Sequence, residues 1–176
     1  MATGAVHKNL GVPGEEELKG RGVSYCATCD GPFFRNKKIV VIGGGDSACS
    51  EAIYLATLSK DVTIVHRRNE FRAQKALVDK MLKAGVKPVY DCVVKQINGQ
   101  NKVESITLEN VKTGERKEFR ADTVLLAMGL RPRFDLVDAL RHSCPETSVA
   151  IVGDCNNQAG AIAEAVNQAF QACLHI

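Results

Sequence analysis

Cys26 and Cys29, in the stretch Tyr25-Cys26-Ala27-Thr28-Cys29-Asp30-Gly31, are the residues of this 176-residue chain best suited to chemistry. Two thiols three positions apart can exchange electrons as a disulfide, supply half of a metal site, or do neither. A zinc site needs two more ligands, and Cys49, Cys92, Cys144, Cys155 and Cys173 stand singly, with no second CxxC and no Cys-x-x-His. Redox exchange is therefore favoured. One thiol of such a pair can have a lowered pKa and act as the thiolate, and the adjacent Asp30 can give or take the proton. The other five cysteines are expected to be small buried apolar residues.

A redox pair needs a source of electrons. Gly43, Gly44, Gly45, Asp46, Ser47 and Ala48 fit GxGxxA, placed after the β-branched run Lys37 to Gly43 and before a helical pattern. There, backbone N–H groups at a helix start can meet a pyrophosphate. The alternative is a tight strand-to-helix turn with no ligand. The next strand ends in His66, Arg67 and Arg68, with Arg72 following. An NAD site wants an acidic residue on the ribose 2′-OH, whereas a 2′-phosphate wants arginine, whose guanidinium matches phosphate in bidentate geometry. NADPH is thus expected over NADH. A plain solvated helix start is the alternative, but four basic groups there oppose the helix dipole. Hydride donor and disulfide are normally connected by a flavin, so a flavin site between them is implied.

The elements that must position these residues alternate. Lys37 to Gly43 is a strand, Ser47 to Lys60 a helix, Asp61 to Arg67 a second strand, and Glu70 to Gly85 an amphipathic helix ended by glycine. Residues 86–120 are expected to form an antiparallel meander with a turn at Lys112 to Glu115, and Asp122 to Gly129 a buried strand returning to the first sheet. Leu130 to Ser148, with proline near both ends of a short helical stretch, is a connector. Val149 to Cys155 is expected as strand then turn, and Ala159 to Ile176 as a final helix. The fold class is α/β: a doubly wound, Rossmann-like domain with an antiparallel β excursion.

Composition narrows the setting. The chain is 45% hydrophobic, enough for its own core, with a net charge of +3. No apolar run approaches the roughly 20 residues that span a bilayer, and the N-terminus lacks a signal-peptide pattern. A cytoplasmic setting is expected, where seven cysteines stay mostly reduced. No nucleic-acid motif is visible, so neither membrane nor nucleic acid is an expected partner.

From about Thr3 to Arg131 the chain resembles the middle of low-molecular-weight thioredoxin reductases. The segments ATGA, LGVPGEEELKGRGVSYCATCDG, IVVIGGGDSACSEAIYLA and VHRRNEFRA carry the likeness in order and spacing. The resemblance implies an NADPH domain inserted into an FAD domain, with electrons passing from NADPH through FAD to the CxxC disulfide and on to a thioredoxin-like protein disulfide. By position, Cys29 would be the flavin-proximal thiol, Cys26 the thiol that attacks the substrate, and Asp30 the acid/base. Gly43 to Gly45 with Asp46, Ser47 and Ala48 would hold the pyrophosphate, and His66, Arg67, Arg68 and Arg72 the 2′-phosphate. Gly129, Gly153 and Asp154 would contribute to cofactor binding, Asp154 at the FAD ribitol. Residues 1–131 are then the NADPH domain and 132–176 a connector with the C-terminal piece of an FAD domain, whose N-terminal half is expected outside this chain. The FAD site would be incomplete here, and the parent protein a homodimer.

The tail departs from that pattern. It lacks the Arg-Gln-Ala step at the final helix and has a shorter connector, and in this it is similar to old-yellow-enzyme-like 2-enoate reductases. Three alternatives stay open: the pyridine-nucleotide module of such a flavoprotein, an isolated NADPH-binding module without turnover, and a subunit whose flavin half arrives on another polypeptide.

Overall fold

In a computed structural model, which describes residues 3–156 and 162–174, the chain divides into two compact units. One is Asn9–Met128; the other combines Met1–Lys8 with Gly129–Ile176. The expected break after Arg131 thus falls after Met128, and the first residues join the tail because β1 (Ala5–His7) pairs antiparallel with β10 (Leu130–Pro132).

In the Asn9–Met128 unit, β3 (Ile39–Ile42) lies at the centre of a parallel five-stranded sheet. Its neighbours are β9 (Thr123–Leu126) and β4 (Val62–Val65), flanked by β2 (Val23–Ser24) and β5 (Lys87–Val89). The run Ile39-Val40-Val41-Ile42 has no polar alternation because both of its faces are covered. Ile39 and Val41 pack toward α2 (Asp46–Ala56) and α3 (Lys75–Lys83), in a cluster with Ala48, Ala52, Leu55, Ile64 and Met81. Val40 and Ile42 face the opposite way, with Val124 and Leu126, against the antiparallel sheet β6 (Cys92–Asn98), β7 (Ser105–Asn110) and β8 (Arg116–Arg120). Each such side chain fully buried contributes about 1.5–3 kcal/mol, so the strand that delivers Gly43 is among the most strongly held parts of the unit.

Three expectations need correction here. The meander does not begin at residue 86: β5 pairs parallel with β4, and only β6 to β8 form the antiparallel excursion. The second helix starts at Lys75 rather than Glu70. The N–H groups of Arg72 and Gln74 are drawn instead to Gly44 O at 2.7 Å and Asp46 Oδ1 at 2.8 Å, which holds residues 70–74 as a loop over the glycine turn. Val149 to Val152 form no strand. A strand exists through its ladder, and among the described residues of that unit only β1 and β10 pair.

The second unit continues with α4 (Phe134–Ser143), a 3-10 turn at Gly153–Cys155 and α5 (Ile162–Cys173). Among its described residues Val137 and Cys155 are the buried hydrophobic side chains, whereas Cys144 and Cys173, expected to be buried, are exposed. The expected extensions of the last helix at Ala159 to Ala161 and at His175 and Ile176 lie outside the described residues. No helix among the described residues is long and apolar enough to cross a membrane.

Candidate functional site

Cys26 and Cys29 are joined as a disulfide, with Cα atoms 5.3 Å apart. They open the short helix α1 (Ala27–Asp30), for which Cys26 is the N-cap: its Sγ accepts the Cys29 N–H at 3.2 Å and lies 3.4 Å from Thr28 Oγ1. An acceptor in that place is better satisfied as thiolate than as thiol. Cys29 is the more exposed of the two. Asp30 ends the helix and is anchored by a side chain that spacing alone did not single out. Ser24 Oγ donates to Asp30 Oδ2 at 2.6 Å and accepts the Cys26 N–H at 3.1 Å, tying the carboxylate to the backbone of the first cysteine.

A second anchor lies on the chain leading into the motif. Glu15, only 2% exposed, accepts the N–H groups of Leu10 at 3.1 Å and Gly11 at 2.7 Å, and the Tyr25 hydroxyl at 2.8 Å. Burial, then the hydrogen bond to Glu15, pushes the Tyr25 hydroxyl well above its ordinary pKa, so it remains a donor. The sequence signal was faint: one glutamate of three in Glu15-Glu16-Glu17, with nothing local to mark it as the buried one.

The glycine turn leaves β3 and enters α2, and its three glycines differ in purpose. A Cβ on Gly43, at φ +158°, would stand 2.5 Å from Ala127 O and 2.7 Å from Ala48 Cβ, so this glycine allows close helix–strand packing. A Cβ on Gly44 would strike the His66 ring at 2.2 Å. Gly45 has open space. It is the N-cap of α2, whose first turn has no side-chain cap, while the Asp46 carboxylate accepts the Gln74 N–H. Uncapped N–H groups beside an open glycine are what a pyrophosphate needs.

Arg67 and Arg68 follow His66 just beyond β4, Arg72 donates its backbone N–H to Gly44 O at 2.7 Å, and all three side chains are exposed. Among the described residues none of the three takes part in an ion pair. His66 is placed differently. It is 7% exposed, its ring stacks on Phe71 at 5.5 Å, and burial followed by the charges of Arg72, Arg67 and Arg68 lowers its pKa. The residues present therefore fit a phosphorylated dinucleotide: a helix start without its own cap, an open glycine, and three cations without counter-charges.

In the other unit Gly129 adopts φ +87° between β9 and β10. Gly153 turns at φ +71°, its N–H taken by Gln168 Oε1 at 2.8 Å, with Asp154 beside it. Among the described residues no cluster of His, Cys, Asp and Glu is arranged for a metal ion.

Comparison with known proteins supplies the context. A family profile described as pyridine nucleotide-disulphide oxidoreductase matches residues 1–169. The chain is 50% identical over 133 residues to the thioredoxin reductase of Treponema pallidum, covering 75% of this chain and 43% of that protein. It is 48% identical over 134 residues to that of Bacillus subtilis, covering 75% and 42%. A crystal structure of Lactococcus lactis thioredoxin reductase superposes with a TM-score of 0.86 at 39% identity, covering 98% of this chain and 62% of that one. The chain spans less than half the length of the two curated relatives.

Proposed function

The chain belongs to the pyridine nucleotide-disulphide oxidoreductase family, and on that premise we propose that it is the NADPH-binding and disulfide-bearing part of a thioredoxin-reductase-type enzyme. The observation that carries this is one of placement. A closed Cys26–Cys29 disulfide, a glycine turn with open space at Gly45, and three exposed arginines that enter no ion pair among the described residues occupy the same unit, Asn9–Met128. The named relatives are thioredoxin reductases, which favours a disulfide over an activated alkene as the electron acceptor.

When bound, NADPH supplies a hydride and FAD passes the electron pair to sulfur. The residues of this chain do the rest. The turn Gly43 to Gly45, with the start of α2 at Asp46, Ser47 and Ala48, would hold the pyrophosphate, and Arg67, Arg68 and Arg72 the 2′-phosphate. Gly129, Gly153 and Asp154 would be this chain's contribution to the flavin site, Asp154 toward the ribitol. Reduction of the disulfide by two electrons, with uptake of two protons, gives two thiols. Cys26, whose sulfur sits where an N–H stabilises negative charge, then attacks the partner's disulfide, releasing one partner thiolate and forming a mixed disulfide. Cys29 attacks the Cys26 sulfur of that mixed disulfide, which frees the second partner thiolate and restores the Cys26–Cys29 bond. Asp30, held by Ser24, takes the proton from the attacking thiol and returns it to a leaving thiolate. A thioredoxin-like protein is the fitting partner. Phe33, 73% exposed on the 3-10 turn directly after Asp30, offers an apolar contact beside the disulfide that a small thiol would not need.

The test is a calorimetric titration of this chain with NADPH and NADH. Tighter binding of NADPH is expected, and Arg67→Ala with Arg68→Ala should remove the preference. Equal affinities in the unaltered protein would overturn the cofactor assignment. Addition of the flavin-binding half of a related reductase tests the electron path: NADPH oxidation that needs Cys26 and Cys29 is expected, and oxidation unaffected by Cys26→Ser would refute the disulfide route.

A further inference from the structure

We propose that His66 is not a phosphate ligand but a wedge that fixes Gly44, and through it the backbone N–H groups that meet the pyrophosphate; this rests on the dinucleotide reading above. Spacing groups His66 with Arg67, Arg68 and Arg72 as one basic set, but the structure separates them. The three arginines are exposed, whereas His66 is 7% exposed and its Nε2 is buried without a hydrogen-bond partner. A phosphate could reach that nitrogen only if the ring left its place.

The ring is closely confined. It lies behind Gly44, where a Cβ would fall 2.2 Å from its Cε1 and Nδ1 and 2.7 Å from its Cγ. On another side it stacks on Phe71, which in turn packs on Tyr90 with centroids 5.1 Å apart. The backbone of His66 is held as well, its N–H donating to Val89 O at 2.9 Å and its carbonyl accepting the Cys92 N–H at 3.1 Å. Gly44 is thus fixed twice: by the imidazole against its Cα, and by the Arg72 N–H on its carbonyl at 2.7 Å. Moving the ring would tilt the Gly44 peptide, and with it the turn leading to Gly45 and the uncapped start of α2. Burial, and after it the charges of the neighbouring arginines, lower the imidazole pKa against a smaller opposing effect of a backbone hydrogen bond with Glu70, which disfavours the charged form that would attract phosphate.

A wedge and a ligand respond differently to substitution. With affinities measured well below each variant's melting temperature, His66→Ala should weaken NADPH and NADH by the same factor, roughly tenfold, the scale of one displaced hydrogen bond. Arg68→Ala should weaken NADPH alone. Gly44→Ala should lower both melting temperature and dinucleotide affinity, and adding His66→Ala to it should recover a large part of both, because the added methyl then has room. A loss confined to NADPH in His66→Ala would overturn the proposal. Should His66→Ala fail to fold by itself, the Gly44→Ala pair decides: recovery supports the wedge and additive losses refute it. If the unaltered protein bound neither dinucleotide, the cofactor reading would fall and this proposal with it, whereas an NADPH-only loss would sink the wedge and leave that reading standing.

Discussion

Glu51 makes stability depend on pH in a direction that can be worked out beforehand. It lies on α2 at the flank of the buried face, three residues after Ala48 and four before Leu55, both fully buried. One of its carboxylate oxygens, Oε2, is buried without a hydrogen-bond partner. Burial pushes the carboxyl up from 4.5 to about 7. A group that holds its proton more tightly when folded contributes stability fully present below the unfolded pKa and lost as pH rises through the folded one. The window therefore runs from about pH 4.5 to just above 7. At roughly 1.4 kcal/mol for each pH unit of difference, the loss is about 3 kcal/mol, an upper figure because water reaches part of the side chain. Glu51→Gln keeps the shape and removes the charge. In urea titrations followed by circular dichroism, the variant should match the unaltered protein at about pH 4 and exceed it by about 2–3 kcal/mol at about pH 8. Only the difference between the two proteins isolates this group, because His66, with its lowered pKa, drives stability the opposite way over part of the same range. A difference that does not change with pH, or a variant no more stable at pH 8, would refute the reasoning.

Two further outcomes follow from named contacts. Glu15→Ala leaves the Leu10 and Gly11 N–H groups and the Tyr25 hydroxyl without their acceptor; at 1–3 kcal/mol for a fully buried unpaired group and less where water enters, the unfolding free energy should fall by about 2–4 kcal/mol. A loss under about 1 kcal/mol in a urea titration would mean that water replaces Glu15 freely. Gly43→Ala and Gly45→Ala should separate fold from function. The first forces a methyl into Ala127 O and Ala48 and should lower the melting temperature sharply, whereas the second places it in open space and should leave the melting temperature nearly unchanged while weakening NADPH and NADH alike. Equal melting temperatures for the two variants would remove the steric argument.

Much of this architecture was local and therefore legible. β3 and β4 are short β-branched runs, Gly85 follows α3, and the CxxC pair, the glycine turn and the arginines each announce themselves through residue type and spacing. These signals depend on neighbours in the chain, which is all that periodicity and turn chemistry read. What stayed hidden was set by partners far apart in sequence. Lys87-Pro88-Val89 could not declare whether it would join a meander or extend a parallel sheet, because the same extended segment suits both and only β4 supplied the ladder. The pairing of Ala5–His7 with Leu130–Pro132 moved a domain boundary that composition does not mark. His66 looked like one of four basic residues until packing buried it behind Gly44, and Glu15 looked like one of three acidic ones until Leu10, Gly11 and Tyr25 closed around it. By itself the sequence determined which residues are the candidates to move electrons and bind phosphate. Tertiary structure decided which of them lie exposed and which are buried against their neighbours, because burial and hydrogen-bond partnership belong to the whole packed chain and not to any short stretch of it.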